Sequence, residues 1–193
     1  MISEAAATPV RFCVAAFLAI ALSALAFAST ASGASRSWNA YLGPASACEG
    51  SADRAASPRT QQRAVTCLVN WARARHRQGL LSPSHSLRRA AALKGHGVAS
   101  CREISHTPCG SDAAGPVRRS GYAYTRFGEN LYVGALGSAS ARDVVSAWLE
   151  SPGHRANILH PGFRDFGAAL VRADGIFYAG AAVVWIAAFA SPR

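Results

Sequence analysis

The feature that most constrains the fold is the apolar run "AVVWIAAF" at residues 182–189. Successive side chains of a strand point to opposite faces, so an unbroken apolar run places apolar groups on both faces of a sheet. Such a strand is stable in the middle of a sheet that another layer covers on each side. Asp174-Gly175 lies between two apolar runs just before it, which is typical of a hairpin. The sequence therefore predicts an antiparallel pair at the centre of a covered sheet.

Helix signals precede these strands. Ser57-Pro58 combines a serine N-cap with proline at the first helical position, and Gly79 closes the segment. Ser82-Pro83 repeats the start signal, and a third helix is predicted from about Ser140. Between these last two, residues 101–137 are rich in glycine and polar side chains and are predicted to be irregular. Helices followed by a doubly covered strand indicate a sheet between helical layers.

The first residues are typical of a cleavable secretory signal peptide. Arg11 precedes an apolar run of about 15 residues, which is shorter than the roughly 20 that a membrane-spanning helix needs. Small residues follow, so we expect cleavage after Ala28, with Ala34 nearly as good a site. The predicted organisation is a signal peptide at 1–28, a flexible extension at 29–57 and a folded domain at 58–193. The protein is expected to be secreted.

Export changes the interpretation of the cysteines. After loss of the signal segment the chain keeps Cys48, Cys67, Cys101 and Cys109, and an even number in an oxidising compartment favours two disulfides. Four cysteines allow three pairings, and we prefer Cys48–Cys67 with Cys101–Cys109 because these are neighbours in sequence. A four-cysteine zinc site is less favoured because the paired C-x-x-C spacing is missing.

The charge balance bears on partners. The formal net charge is +10 at pH 7, and Lys94 is the only lysine among the basic residues. A basic exported protein first meets anionic cell-envelope polymers or anionic lipid, and weak electrostatic binding to them is one interpretation. A biased composition with a solvated arginine surface is an equally good one. Nucleic acid is not expected, because the arginines are scattered and no binding motif accompanies them. We expect a monomer.

Three residues are candidates for a functional site. His106 lies in "SHTPCG", inside the loop that a Cys101–Cys109 disulfide closes, and Glu129 lies in "GEN". His154 follows Ser151-Pro152-Gly153, where proline and glycine are expected to end the third helix. Taken singly, a histidine is more often a surface residue or a hydrogen-bonded core residue. Together, two histidines and a glutamate on short loops form a familiar zinc ligand set that leaves one position for water.

The order of these motifs resembles the bacterial branch of the CAP superfamily, whose SCP domains occur in cysteine-rich secretory proteins, insect venom antigens and plant pathogenesis-related proteins. The resemblance covers roughly residues 60–190. It implies an α+β fold, a three-layer α-β-α sandwich with a mainly antiparallel central sheet. It also implies a cleft that holds two histidines and up to two glutamates, here His106, Glu129 and His154. The matching segments are Leu68, Arg73 and Gly79-Leu80, "SHTP" (105–108), Gly121-Tyr122, "GENL" (128–131), Trp148, "SPGHR" (151–155), "NIL" (157–159) and Phe166-Gly167.

One position departs from the family pattern. The second glutamate of the family lies three residues after the helix tryptophan, and Ser151 occupies that position here. Glu150 is one residue short, and two residues along a helix correspond to about 200° of rotation away from Trp148. We therefore expect Glu150 to face solvent and Ser151 to take the place of the fourth group.

The predicted function is a secreted, non-catalytic binding or interaction module whose cleft is able to hold a divalent metal, with zinc the candidate ion. One alternative is a metal-dependent hydrolase or peptidase that acts outside the cell, with Glu129 or a metal-bound water as base. The sequence has no H-E-x-x-H segment to support it. A further alternative is lipid or sterol binding, but no long apolar stretch follows the signal segment. The ligand itself cannot be inferred from the sequence.

Overall fold

The computed structural model describes residues 37–175 and 180–193, so the predicted signal peptide and the first residues of the extension lie outside the described residues. The helices are α1 (Pro58–Arg75), α2 (His85–Cys101), α3 (Gly115–Arg119), α4 (Ala141–Glu150) and α5 (Pro152–Leu159). The strands are β1 (Ser82–Pro83), β2 (Tyr124–Ala135), β3 (Asp165–Arg172) and β4 (Ala182–Pro192). Short 3-10 helices occupy Trp38–Tyr41, Ala45–Ala47 and Pro108–Gly110.

The four strands form one sheet in the order β1-β3-β4-β2. β4 pairs antiparallel with both neighbours, with Ile186 opposite Ala169 of β3 and Leu131 of β2. β1 is parallel to β3 and pairs with it over two residues only. Residues 182–190 of β4 are all buried, as the apolar run requires. The predicted covered central strand, its antiparallel pairing with the preceding strand and the mainly antiparallel sheet are confirmed.

Helices cover the sheet on both faces. Trp185 and Phe189 of β4 point to a core built with α1, α4 and α5, whereas Val184 and Ile186 point to a second core built with α2 and α3. This alternation follows from the two-residue period of a strand. The α+β, three-layer α-β-α sandwich is therefore confirmed. Among the described residues, no helix has the length and apolar character to cross a membrane.

Two predictions about local structure were wrong, the start of the second helix and the absence of a strand between residues 101 and 137. Ser82-Pro83 does not begin the second helix; it forms β1, and the Ser82 N–H donates to the Arg164 carbonyl at 2.8 Å. The N-cap is Ser84, whose hydroxyl accepts from the Leu87 N–H at 3.3 Å. The segment predicted to be irregular contains β2, a strand of 12 residues. Its glycine and polar side chains hide the strand pattern, and pairing with β4 along its length supplies the missing stability.

Both preferred disulfides are confirmed. Cys48–Cys67 and Cys101–Cys109 bridge Cα atoms that are 5.8 and 5.6 Å apart. The first links the predicted extension to α1. Residues 37–57 were expected to be flexible, but they pack on the domain, and Leu42 and Cys48 are part of the hydrophobic core. Buried apolar contacts and the disulfide explain why this segment is ordered.

Candidate functional site

The structure brings His106 and Glu129 together. The His106 Nδ1 atom lies 2.8 Å from Glu129 Oε1 in a hydrogen bond. The two side chains differ in exposure, because 57% of the imidazole is accessible and only 5% of the carboxylate. The pair therefore connects a buried acid to a ring that solvent reaches.

Glu129 lies on a strand, which corrects the prediction that it occupies a short loop. It is within β2 and opposite Ala188 of β4. Glu129 and Leu131 share the sheet face that packs on α2, while Asn130 points to the opposite face. The strand fixes the Glu129 backbone more firmly than a loop does, so the carboxylate is held in place before any ligand arrives.

Lys94 is the residue that sequence reasoning missed. Its ammonium lies 3.7 Å from Glu129 Oε1, also donates to the His106 carbonyl, and is 1% exposed. Burial lowers the pKa of Lys94, while the Glu129 charge acts in the opposite direction. A signal was present, since Lys94 lies at helical spacing on the buried stripe that also contains Leu87, Ala91 and Val98. A lone lysine on an apolar stripe indicates a buried charge with a partner.

His154 lies on α5, so the prediction that Ser151-Pro152-Gly153 only ends a helix was incomplete. α4 does end at Glu150, but Pro152 is also the first residue of α5, with Ser151 as its N-cap. Proline is favoured at that position because its missing N–H has no partner there in any case. Burial and the neighbouring His106 both lower the pKa of His154.

Two asparagines join β2 to α5. The Asn130 amide donates to the His154 carbonyl at 3.0 Å and is fully buried. The Asn157 amide donates to the Glu129 carbonyl at 3.0 Å and to Asn130 Oδ1 at 2.9 Å. These bonds hold the backbones of Glu129 and His154 in fixed relation. The asparagines of "GEN" and "NIL" therefore position the site, although neither side chain contacts His106.

Gly128 has a packing role beside them. A Cβ atom there would lie 2.8 Å from Phe163 Cζ and 2.9 Å from Asn157 Oδ1. Any side chain would displace either the aromatic ring or the asparagine that holds β2 to α5. The close approach of these groups accounts for glycine before the glutamate.

Ser151 and Glu150 lie at the junction of α4 and α5. The Ser151 hydroxyl forms no capping hydrogen bond for α5. Glu150 is exposed and accepts a bond from the Trp38 N–H at 3.1 Å. It thus faces the surface, in the direction that helix rotation predicts, and takes no part in the hydrogen bonds around Glu129.

The expected zinc ion does not suit the side chains as they are placed. Among the described residues, no three His, Cys, Asp or Glu side chains are arranged to hold a metal ion. The Glu129 carboxylate is engaged by His106 and faces the Lys94 ammonium, whose charge repels a second cation. A metal bound by His106, Glu129 and His154 therefore stays a prediction that requires these side chains to rearrange.

Comparison with known proteins identifies the family. The CAP profile, described as the cysteine-rich secretory protein family, matches residues 67–189. The chain belongs to the CAP family. YkwD of Bacillus subtilis strain 168 is 31% identical to this CAP protein over 106 residues, which are 53% of this chain and 40% of YkwD. The matched region thus spans less than half of that relative, which is itself described as uncharacterized.

Solved structures agree on the fold of this CAP protein. An outer surface protein of Borrelia burgdorferi has a TM-score of 0.61 at 15% identity, covering 72% of this chain and 97% of that one. An extracellular SCP-domain protein of Bacillus anthracis has a TM-score of 0.55 at 19% identity, with 70% and 44% coverage. A cysteine-rich secretory protein of Staphylococcus aureus has a TM-score of 0.55 at 15% identity, with 70% and 40% coverage. These neighbours include extracellular and surface proteins.

Proposed function

We propose that this CAP protein is a secreted, non-catalytic binding module, and that the cleft around His106, Glu129 and His154 recognises a ligand without transforming it. The observation that carries the proposal is the environment of the Glu129 side chain. Its carboxylate is buried, bonded to His106 and faced by Lys94. A general base must reach the proton that it removes, whereas this carboxylate is buried and its Oε1 atom is already engaged by both neighbours.

The remaining groups favour recognition over chemistry. An acyl-transfer relay needs a nucleophile hydrogen-bonded to a base, yet the Ser151 hydroxyl makes no hydrogen bond to His154 within the described part of the chain. The exposed His106 ring and the partly exposed His154 ring are the groups that a ligand reaches first. Imidazoles both donate and accept hydrogen bonds, so they suit a polar ligand.

Secretion is supported by several independent features. The first residues are typical of a signal peptide, and the two disulfides persist best in an oxidising compartment. The Bacillus anthracis neighbour is described as extracellular and the Borrelia one as an outer surface protein. We expect N-terminal sequencing of protein from the culture medium to begin after Ala28 or Ala34. Retention of residues 1–28 on a cell-associated protein would contradict export by cleavage.

The catalytic alternative is tested with a broad screen of peptide and ester substrates, run with and without added Zn²⁺. We expect no turnover above that of the Glu129→Gln variant. The matched control is Glu150→Gln, which changes an exposed glutamate outside the cleft. Turnover that Glu129→Gln abolishes and Glu150→Gln leaves intact would establish a hydrolase instead.

The metal expectation is tested by zinc titration calorimetry on the wild type and on Lys94→Met. Removing the ammonium takes away the competing charge, so Lys94→Met is expected to bind Zn²⁺ more tightly than the wild type. If adding His106→Ala to Lys94→Met abolishes the gain in zinc affinity, the binding is assigned to the cleft. Tight wild-type binding that depends on both histidines would show that a metal displaces Lys94 from Glu129 and that the side chains rearrange to hold it. Absence of zinc binding by both the wild type and Lys94→Met would contradict the predicted metal site.

A further inference from the structure

A second site lies at the free edge of β3, away from the cleft. β1 pairs with β3 only at Asp165 and Phe166, where Ser82 and Ser84 donate to the Arg164 and Phe166 carbonyls. Backbone groups of a strand alternate between its two edges. The outward groups beyond Phe166 are therefore those of residues 168, 170 and 172, and no described strand pairs with them.

This edge is the floor of a groove between α1 and α2. Two adjoining concavities of about 590 and 840 Å³ run along β3 from Phe166 to Arg172. They share four lining residues, and neither is lined by His106, Glu129 or His154. The unpaired part of the β3 edge, residues 168–172, is about 17 Å long, which is the length of a typical strand. The groove therefore has room for one extended segment beside β3.

The walls of the groove are strongly basic. No Asp or Glu lines either concavity. Arg172 has an acidic partner, Asp174, at 3.0 Å, whereas the other four arginines form no ion pair with a described residue. The exposed cationic side chains come from both helices and from the strand end: Arg59, Arg63, Arg88, Arg89 and Arg172.

The free strand edge and the arginines, taken separately, do not require a specific partner. Proteins place charge beside an exposed edge to prevent aggregation, and an arginine surface alone attracts any anion. The combination is more selective. Outward backbone donors and acceptors pair best with another peptide backbone, and guanidinium groups on both walls pair best with carboxylates. A phosphate polymer uses the arginines but leaves the strand edge unpaired.

We propose that the groove between α1 and α2 binds an extended acidic peptide segment as an added strand on β3. The peptide backbone pairs with residues 168, 170 and 172, and its carboxylates contact the arginines of the two walls. This interaction surface is separate from the proposed cleft and independent of what the cleft binds. The partner class is thus an acidic, extended segment of another protein.

The probe is a fluorescent decapeptide of alternating Glu and Thr, titrated by anisotropy at physiological ionic strength. We expect saturable binding that falls about tenfold in the double charge reversal Arg63→Glu with Arg88→Glu, because two favourable contacts become repulsive. The control is Arg75→Glu, an exposed arginine of α1 that does not line the groove. Equal losses in both variants would indicate diffuse attraction and would overturn the site.

Backbone pairing is tested with the same peptide N-methylated at every second residue, in both phases. In one of the two peptides the methyl groups replace the amide hydrogens that face β3, and in the other they replace those that face away. The first peptide is therefore expected to lose binding and the second to keep it. Hydrogen exchange of the Ala168, Leu170 and Arg172 amides is expected to slow with the unmodified peptide. Equal binding of both methylated peptides, or binding of inorganic polyphosphate or anionic vesicles but not of the peptide, would refute strand addition.

Discussion

The buried Lys94–Glu129 pair allows the sharpest test of the site. The perturbations are Lys94→Met, Glu129→Gln and the two together. At 3.7 Å and an effective dielectric constant of about 20, two unit charges attract by about 4 kcal/mol. Breaking a buried pair by removing one partner typically costs about 3–5 kcal/mol, because the other charge stays buried. Each single variant is therefore expected to lose about 3 kcal/mol of unfolding free energy.

The double variant distinguishes a pair from two separate residues. Lys94→Met with Glu129→Gln leaves no unpaired charge, so its loss is expected to be smaller than the sum of the single losses by about 2–3 kcal/mol. The lost bond from Lys94 to the His106 carbonyl is not recovered and costs about 1 kcal/mol. Lowering of the Lys94 pKa by burial reduces these figures only if the lysine deprotonates in the folded state.

Urea unfolding at neutral pH measures all three variants by linear extrapolation. Glu150→Gln and Arg89→Met are the matched controls, since both side chains are exposed, and each is expected to stay within about 0.5 kcal/mol of the wild type. Additive losses, with no coupling energy, would show that Lys94 does not compensate Glu129. A loss at Glu150 equal to that at Glu129 would refute the distinction between the two glutamates.

Three further predictions concern the frame that holds the site. Gly167→Ala is expected to cost at least about 3 kcal/mol because its Cβ would lie 2.1 Å from a backbone nitrogen of α2, whereas Gly153→Ala meets nothing within 4 Å and should be neutral by thermal unfolding. Arg73→Met should cost about 4 kcal/mol in urea unfolding, because three carbonyls lose a buried guanidinium, while the exposed Arg75→Met costs little. The hydrogen bond from the backbone N–H of Ser140, the N-cap of α4, lowers the pKa of Asp143. The ionised carboxylate therefore stabilises the folded state fully above the unfolded pKa of about 3.9, and this stabilisation is lost as pH falls through the lower folded pKa. Asp143→Asn should lose that part of the acid dependence, and an unchanged profile of melting temperature against pH would contradict the cap.

The sequence predicted the central strand because burial alone dictates it. Residues 182–189 leave no polar face, so they fit nowhere except inside a sheet covered on both sides. β2 was missed because Gly128, Glu129 and Asn130 interrupt its pattern in the middle of the strand. Strand-favouring residues such as Phe127 and Tyr132 lie on either side of that polar segment, and pairing with β4 carries the strand through it.

The site was predicted in part for a similar reason. His106, Glu129 and His154 stand in motifs whose order carries the resemblance, so the residues were found while their backbone context was wrong for two of them. Ser151-Pro152 is typical both of the end of one helix and of the start of another, and both are true here. Lys94 was missed because its role depends on a carboxylate that lies far away in sequence. The helical stripe indicates that Lys94 is buried, but the identity of its partner is visible only after the sheet has brought α2 and β2 together.

Lys94 and the arginines of the groove show how an ammonium and a guanidinium suit different surroundings. An ammonium is compact and directs its charge at one point, so Lys94 fits between the Glu129 carboxylate and the His106 carbonyl inside the core. The open edge of β3 favours arginine instead, since the side chains there stay in solvent. A guanidinium group such as that of Arg88 is weakly hydrated and binds a carboxylate through two hydrogen bonds. A guanidinium also serves inside the core where several acceptors surround it, as the three carbonyls around Arg73 do. The difference between the two sites therefore lies in the number and placement of the acceptors: one carboxylate oxygen and one carbonyl suit the Lys94 ammonium, whereas the carboxylates of an extended partner suit the exposed arginines of the groove.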